Sequence, residues 1–167
     1  MNAQILIRFA EEKDCALILD FVRGLAEYER LLDEVSATGE SFRRFLFGEK
    51  KAEALICEYE GRPAGFALFF HTFSTFVGKP GIYIEDIFVK PEYRKRGLGK
   101  ALLSFIAEIA VQRDCGRLEW ACLDWNTPSR AFYASRGARE LSEWTTYRLT
   151  GDGLKNLAAA SAKTPAP

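Results

Sequence analysis

A chain of 167 residues is about one domain, with room for a real hydrophobic core. Its 48% hydrophobic and 28% charged residues are those of an ordinary soluble globular protein. A formal net charge of +0 speaks against wholesale nucleic-acid binding, no apolar run reaches membrane-spanning length, and the N-terminus lacks a signal peptide's basic-then-apolar layout.

Residues 4–9 read as a first strand. Asp14 can cap, or sit in the first turn of, a helix running to residue 30, whose Ile18, Phe21, Val22, Leu25 and Tyr28 recur at helical spacing. That helix ends in Glu27-Tyr28-Glu29-Arg30, either an amphipathic terminus or one wall of a pocket for an amine. Thr38 caps a second, short helix with Phe42, Phe45 and Leu46 on its apolar face and Gly48 at its stop. Residues 53–59 and 64–74 pair as a hairpin around Glu60-Gly61-Arg62-Pro63, with Phe66, Phe69, Phe70, Phe73 and Phe76 in the core. After a loop at 76–81 comes a central strand, 82–89.

Lys90-Pro91-Glu92-Tyr93 is a turn, because proline cannot donate to a ladder and biases Lys90 away from helix. A helix follows with Leu98, Leu102, Phe105, Ile106, Ile109 and Ala110 as its stripe, and Gly116 closes it. Next come a strand at 117–123, a short helix capped by Asn126 with Pro128 in its first turn, and a final strand at 144–149. A short helix from Gly153 and a disordered tail at 161–167 end a single domain spanning residues 1–160.

The chemistry concentrates where the central strand delivers Arg94-Lys95-Arg96-Gly97-Leu98-Gly99 to a helix N-terminus. Free N–H groups and the positive end of the helix dipole both favour an anion there. The turn lacks a Gly-Lys-Ser/Thr ending, so it is not a Walker A loop, and its two glycines do not make a dinucleotide fingerprint. Basic Lys90, Arg94, Lys95, Arg96 and Lys100 oppose acidic groups at Glu27, Glu29, Asp33, Glu34 and Glu85-Asp86. Such a division is either solvated surface or a site for an anionic cofactor and a cationic substrate. Cys15, Cys57, Cys115 and Cys122 lack metal-ligand spacing and read as reduced core residues of a cytoplasmic protein. The single His71 reads as structural, and no metal is expected.

Arg94-x-x-Gly97-x-Gly99 with its preceding strand resembles the acetyl-CoA motif of the GNAT superfamily of N-acetyltransferases. Within it, the chain is similar to the diamine (spermidine/spermine) and thialysine acetyltransferases. Glu27-Tyr28-Glu29, Tyr83 to Val89, Leu123-Asp124-Trp125-Asn126 and Phe132-Tyr133 with Arg136-Gly137-Ala138 carry that likeness. The resemblance implies an α/β fold, a twisted mixed central β-sheet with helices on both faces and splayed central strands. It implies acetyl-CoA as co-substrate: Ile87, Phe88 and Val89 against the pantetheine arm, Arg94, Lys95, Arg96, Gly97, Leu98, Gly99 and Lys100 at the pyrophosphate, and Asn126, Thr127, Pro128 and Ser129 in further contact. Tyr133 is either the general acid for the leaving thiolate or a core aromatic. Glu85 is either the base that accepts the amine's proton or only an anchor for the cation.

Tyr28, Glu29 and Glu85, with Glu119, Trp120 and Ala121 on the far side, would bind a small amine. The activity implied is acetyl transfer to a primary amine of a polyamine, diamine or thialysine-like substrate by direct attack. A protein lysine acetyltransferase and a non-catalytic acyl-CoA-binding module remain alternatives. The resemblance also implies a homodimer, with no nucleic-acid or membrane partner.

Overall fold

The structure, a computed structural model, describes residues 4–161. Of the expected tail at 161–167, all but Ser161 lie outside the described residues. The chain forms two compact units, one up to Ala121 and one from Cys122 on.

The first unit holds a five-stranded sheet in sequence order. Strands β1 (Ile5–Phe9), β2 (Glu53–Tyr59), β3 (Arg62–Ser74) and β4 (Lys79–Val89) pair antiparallel in turn, and β5 (Leu118–Trp120) runs parallel to β4. Helix α1 (Cys15–Glu29) covers one face. Its Ile18 and Phe21 join Ile56, Phe66, Leu68 and Phe88 in one buried cluster, with Phe21 stacked on Phe66 at 5.3 Å. Burying each such side chain contributes roughly 1.5–3 kcal/mol.

The alternate residues Leu55, Cys57, Ala67, Phe69, Ile82 and Ile84 are buried on the opposite face. There α3 (Leu98–Gln112) packs through Leu102, Ile106 and Ile109. Its Phe105 meets Phe9 edge-on at 6.4 Å, and Arg113 grips Glu53 beside His71 and the Phe69 ring. Cys15 and Cys57 are buried, and burial pushes the Cys57 thiol up to about 11, but Cys115 and Cys122, also expected in the core, are only half-buried.

Thr38 caps α2 (Gly39–Phe42) as expected, its hydroxyl accepting the Ser41 N–H at 3.1 Å. Several expectations need correction. Of the two places expected for Asp14, the structure shows the first turn: it ends the 3-10 turn Glu12–Asp14 that runs into α1, and its carboxylate, which does not cap α1, accepts the Glu11 N–H at 2.8 Å and two N–H groups of Arg8. Leu46 is buried, but Phe45 is exposed, because the helix continues through 43–48 as a π-turn that rotates its side chains out of α-helical register.

Phe73 and Phe76 are not core: they are 62% and 100% exposed. The β3–β4 hairpin runs on to Ser74↔Lys79, whereas β2 stops opposite Phe69, so its tip projects past the layers that bury Phe66 and Phe69, and Phe70, just beyond that stop, is only half-buried. For the same reason β4 starts at Lys79, not Ile82. Helix α3 ends at Gln112 and reverses through Asp114 at φ 52, rather than at Gly116. The strand expected at 117–123 keeps only Leu118–Trp120.

In the second unit, α4 (Thr127–Ala134) starts at Asn126 with Pro128 in its first turn, and α5 (Gly151–Ala159) lies near the chain end. The segment 144–149 alternates as a strand should but is not one. A strand exists only through pairing, and no partner strand meets it among the described residues.

Candidate active site

The site grows from an irregularity in β4. Leu68 stands opposite Asp86 and Phe69 opposite Ile84, which leaves Glu85 as an extra residue in a β-bulge. Pairing with β5 ends at the same point, Ile84↔Trp120, while β4 continues to Val89. Parallel pairing therefore stops at the bulge, and β4 runs on beyond it. Lys90 N–H donates to the Ala64 carbonyl on the β3 side at 2.9 Å. Strand alternation turns the N–H and C=O groups of Ile87 and Val89 to the opposite side, where no strand pairs with them among the described residues and only the Val89 carbonyl is taken, by Arg94 Nε at 3.1 Å. An extended, amide-bearing ligand could pair there as an added strand.

Beyond β4 the chain turns through Pro91–Tyr93 into α3. Lys95 has φ 61 and Gly97 φ 87, and the Gly97 carbonyl accepts the first helical bond from Ala101 at 2.9 Å. The N–H groups of Leu98, Gly99 and Lys100 precede that bond and are open to an anion. A Cβ on Gly97 or Gly99 would meet nothing within 4 Å, so an anion has room to reach the backbone. Arg94 and Arg96 turn their side chains elsewhere. Arg96 lies 5.1 Å over the Tyr59 ring, and Arg94 lies 4.5 Å over Tyr28. Lys95 and Lys100 are exposed.

A cleft of about 370 Å³ lies between α1 and the bulge. That volume is within the ~300–1,000 Å³ usual for small-molecule sites. Val22, Leu25 and Ala26 give it an apolar wall, and Glu29, Glu34, Glu85 and Asp86 bring four carboxylates. Burial pushes the Asp86 carboxyl up to about 6, with the Glu85 and Glu29 charges adding to the rise. Burial also raises Glu29. Such a cleft recruits a cation and can take a proton from it near neutral pH.

Of the predicted amine-site residues, Glu29 and Glu85 meet in this cleft. Tyr28 lies under Arg94 instead of lining it. Glu119 and Trp120 lie on β5 and Ala121 just after it; Glu119 pairs with Arg117 at 2.8 Å, and none of the three lines the cleft. The sequence marks Asp86 only as one of several acidic groups that could suit a cationic substrate, not as a proton acceptor. Its signal was adjacency to Glu85, but regular strand alternation would put neighbours on opposite faces, and only the bulge lets both reach one cleft. Among the described residues, no group of three or more His, Cys, Asp or Glu could hold a metal ion, and no helix is long and apolar enough to cross a membrane.

In the second unit, the Asn126 side chain accepts the Ser129 N–H at 3.4 Å, closing the first turn of α4 over Thr127 and Pro128. Tyr133 lies on the same helix, its ring 5.4 Å from that of Phe132. Arg130 holds that unit together, bonding Glu140 and the Asp124 carbonyl at 3.0 Å.

A strand edge free of a neighbouring strand, a glycine turn at a helix N-terminus and parallel pairing that stops beside them suit an acyl carrier, and the chain belongs to the acetyltransferase (GNAT) family, whose model matches residues 6–138. It is thus an enzyme of the N-acetyltransferase class. A thialysine N-epsilon-acetyltransferase from Sus scrofa is 39% identical over 93% of this chain and 98% of that protein. A spermidine/spermine N(1)-acetyltransferase-like protein from Homo sapiens is 32% identical over 91% of this chain and 23% of that longer protein. An integron cassette protein from the mobile metagenome of V. cholerae has a solved structure with a TM-score of 0.78, at 25% identity over 96% of this chain and 99% of that one. Acetyltransferases of this family use acetyl-CoA.

Proposed function

We propose that this chain transfers the acetyl group of acetyl-CoA to the terminal amine of a small cationic substrate, a thialysine-like amino acid before a polyamine. The four-carboxylate cleft beside the unpaired end of β4 carries the reading. The preference between amines rests on the thialysine enzyme matching over nearly its full length.

Acetyl-CoA supplies an activated acyl carbon and a thiolate leaving group. The backbone of Ile87 and Val89 would hold its arm as an added strand; Phe88, expected to join them, turns its N–H and C=O toward Phe66 on β3 instead. The N–H groups from Lys95 to Lys100 would hold its pyrophosphate, and Asn126 to Ser129 would contact it further. The open space at Gly97 and Gly99 supports that fit. Glu29 and Glu85 draw in the ammonium group, whose free pKa is about 10. Asp86, and Glu85 directly or through water, accept its proton and leave a neutral nucleophile. Tyr133, assigned by family likeness, returns a proton at the departing sulfur. Glu119, Trp120 and Ala121, outside the cleft itself, would form the far side of the amine site.

We further place the enzyme in the cytoplasm as a homodimer. Trp144 and Tyr147 are 73% and 91% exposed on the unpaired segment 144–149, apolar surface that a second copy would cover.

The test is CoA release from acetyl-CoA with thialysine, lysine, spermidine, spermine and putrescine. Turnover of thialysine or a polyamine is expected. Binding of acetyl-CoA with no release on any amine would instead favour a non-catalytic module.

A further inference from the structure

We propose that Arg94 is a positioning residue: its side chain ties the phosphate turn to the wall of the amine cleft instead of serving as a phosphate ligand. The proposal rests on the reading of that cleft as the amine site. Arg94 Nε donates to the Val89 carbonyl at 3.1 Å. That carbonyl belongs to the last residue of β4. The guanidinium carbon also lies 4.5 Å from the Tyr28 ring centroid and 5.8 Å from that of Phe88.

Tyr28 immediately precedes Glu29, which is both the last residue of α1 and a wall of the cleft. Arg30 follows at φ 61 and turns the chain away, so Glu29 has no helical turn beyond it to hold it in place. Phe88 meets α1 as well, edge-on to Phe21 at 6.5 Å and close enough to Gly24 that a Cβ there would lie 3.1 Å from its ring. One side chain thus joins the phosphate turn, the end of β4 and the last turn of α1. A movement of the turn reaches Glu29 through two contacts.

Guanidinium chemistry suits this task. Its planar fork donates in its own plane while its face rests on a ring, and a lysine ammonium cannot do both.

The experiment compares two acetyl donors in wild type, Arg94→Gln, Arg94→Lys and Tyr28→Leu. One donor is acetyl-CoA. The other is S-acetyl-N-acetylcysteamine, which has the thioester but no pyrophosphate. A tether predicts a roughly five- to tenfold loss in kcat/KM for the amine with both donors, seen mainly in KM. Arg94→Lys should be as poor as Arg94→Gln, the Kd for CoA should change less than about twofold, and the double variant Arg94→Gln/Tyr28→Leu should be no worse than either single one. A loss confined to acetyl-CoA, with the CoA Kd raised and rescued by Arg94→Lys, would make Arg94 a phosphate ligand and overturn the proposal. Wild-type kinetics in Arg94→Gln would overturn it too. A wild-type chain that acetylates no amine with either donor would overturn the underlying reading of the cleft.

Discussion

Gly65 lies directly against the Phe88 carbonyl: a Cβ built on Gly65 would stand 2.6 Å from that oxygen. The obstacle is backbone, so no rotamer change can relieve it. Any side chain at 65 must push β4 away from β3 at the point where β4 presents its unpaired edge. Gly65→Ala should therefore destabilise the fold by roughly 2–4 kcal/mol, near the upper range for overpacking. Denaturant titration measures it; a midpoint equal to wild type would show that the strands can part freely.

Asp86 makes stability depend on pH. Its folded pKa of about 6 lies above the ordinary 3.8, so the folded chain binds this proton more tightly than the unfolded one. Stability is fullest below the unfolded value and falls as pH rises through the window from 3.8 to about 6. Asp86→Asn removes that fall. Relative to wild type, the variant should gain up to about 3 kcal/mol between pH 4 and pH 7. Paired unfolding curves at the two pH values check this, and parallel behaviour of the two proteins would remove the assignment.

The same carboxyl should set the acid limb of kcat/KM. With cationic amines the limb should have an apparent pKa near 6, the value to which burial and then the neighbouring Glu85 and Glu29 charges push Asp86. It should vanish in Asp86→Asn. A limb unchanged in that variant would mean that another group takes the proton.

Glu85→Gln should weaken the use of cationic amines by raising KM, and more so at low ionic strength, where exposed charges are least screened. Normal kinetics in the variant would leave the other carboxylates of the cleft as its anchor.

Gly99→Ala separates folding from cofactor binding. A Cβ at 99 meets nothing within 4 Å, and the position is helical, so the change should stabilise α3 by up to about 1 kcal/mol. The methyl group would stand where a phosphate must approach, and the Kd for CoA should rise. Calorimetry reads both quantities; a more stable chain with unchanged CoA affinity would move the pyrophosphate elsewhere.

Tyr133→Phe should lower kcat by about 10²-fold or more while the CoA Kd stays close to wild type, as expected for loss of a general acid. Equal turnover would return Tyr133 to a packing role beside Phe132.

Much of the fold is legible in the chain's local patterns. The stripe of α3, the cap at Thr38, the hairpin and the glycine turn each follow from local rules: period, hydroxyl capping, turn residues and proline. Those rules act over a few residues and are written in consecutive positions. The aromatic hairpin misleads for a related reason. Phe73 and Phe76 carry the same apolar signal as Phe66 and Phe69, and nothing local says that β2 ends opposite Phe69 and leaves them uncovered.

The sequence by itself determined the class of enzyme and the turn that suits a phosphate, because both are carried by short runs of chain. Tertiary structure decided which acids share the amine cleft. Alternation in a regular strand would separate Glu85 from Asp86, and their cooperation depends on a bulge defined only by pairing with Leu68 and Phe69. It also decided that Arg94 reaches Tyr28, a residue 66 positions earlier in the chain. Such contacts come from long-range packing, which no local pattern encodes.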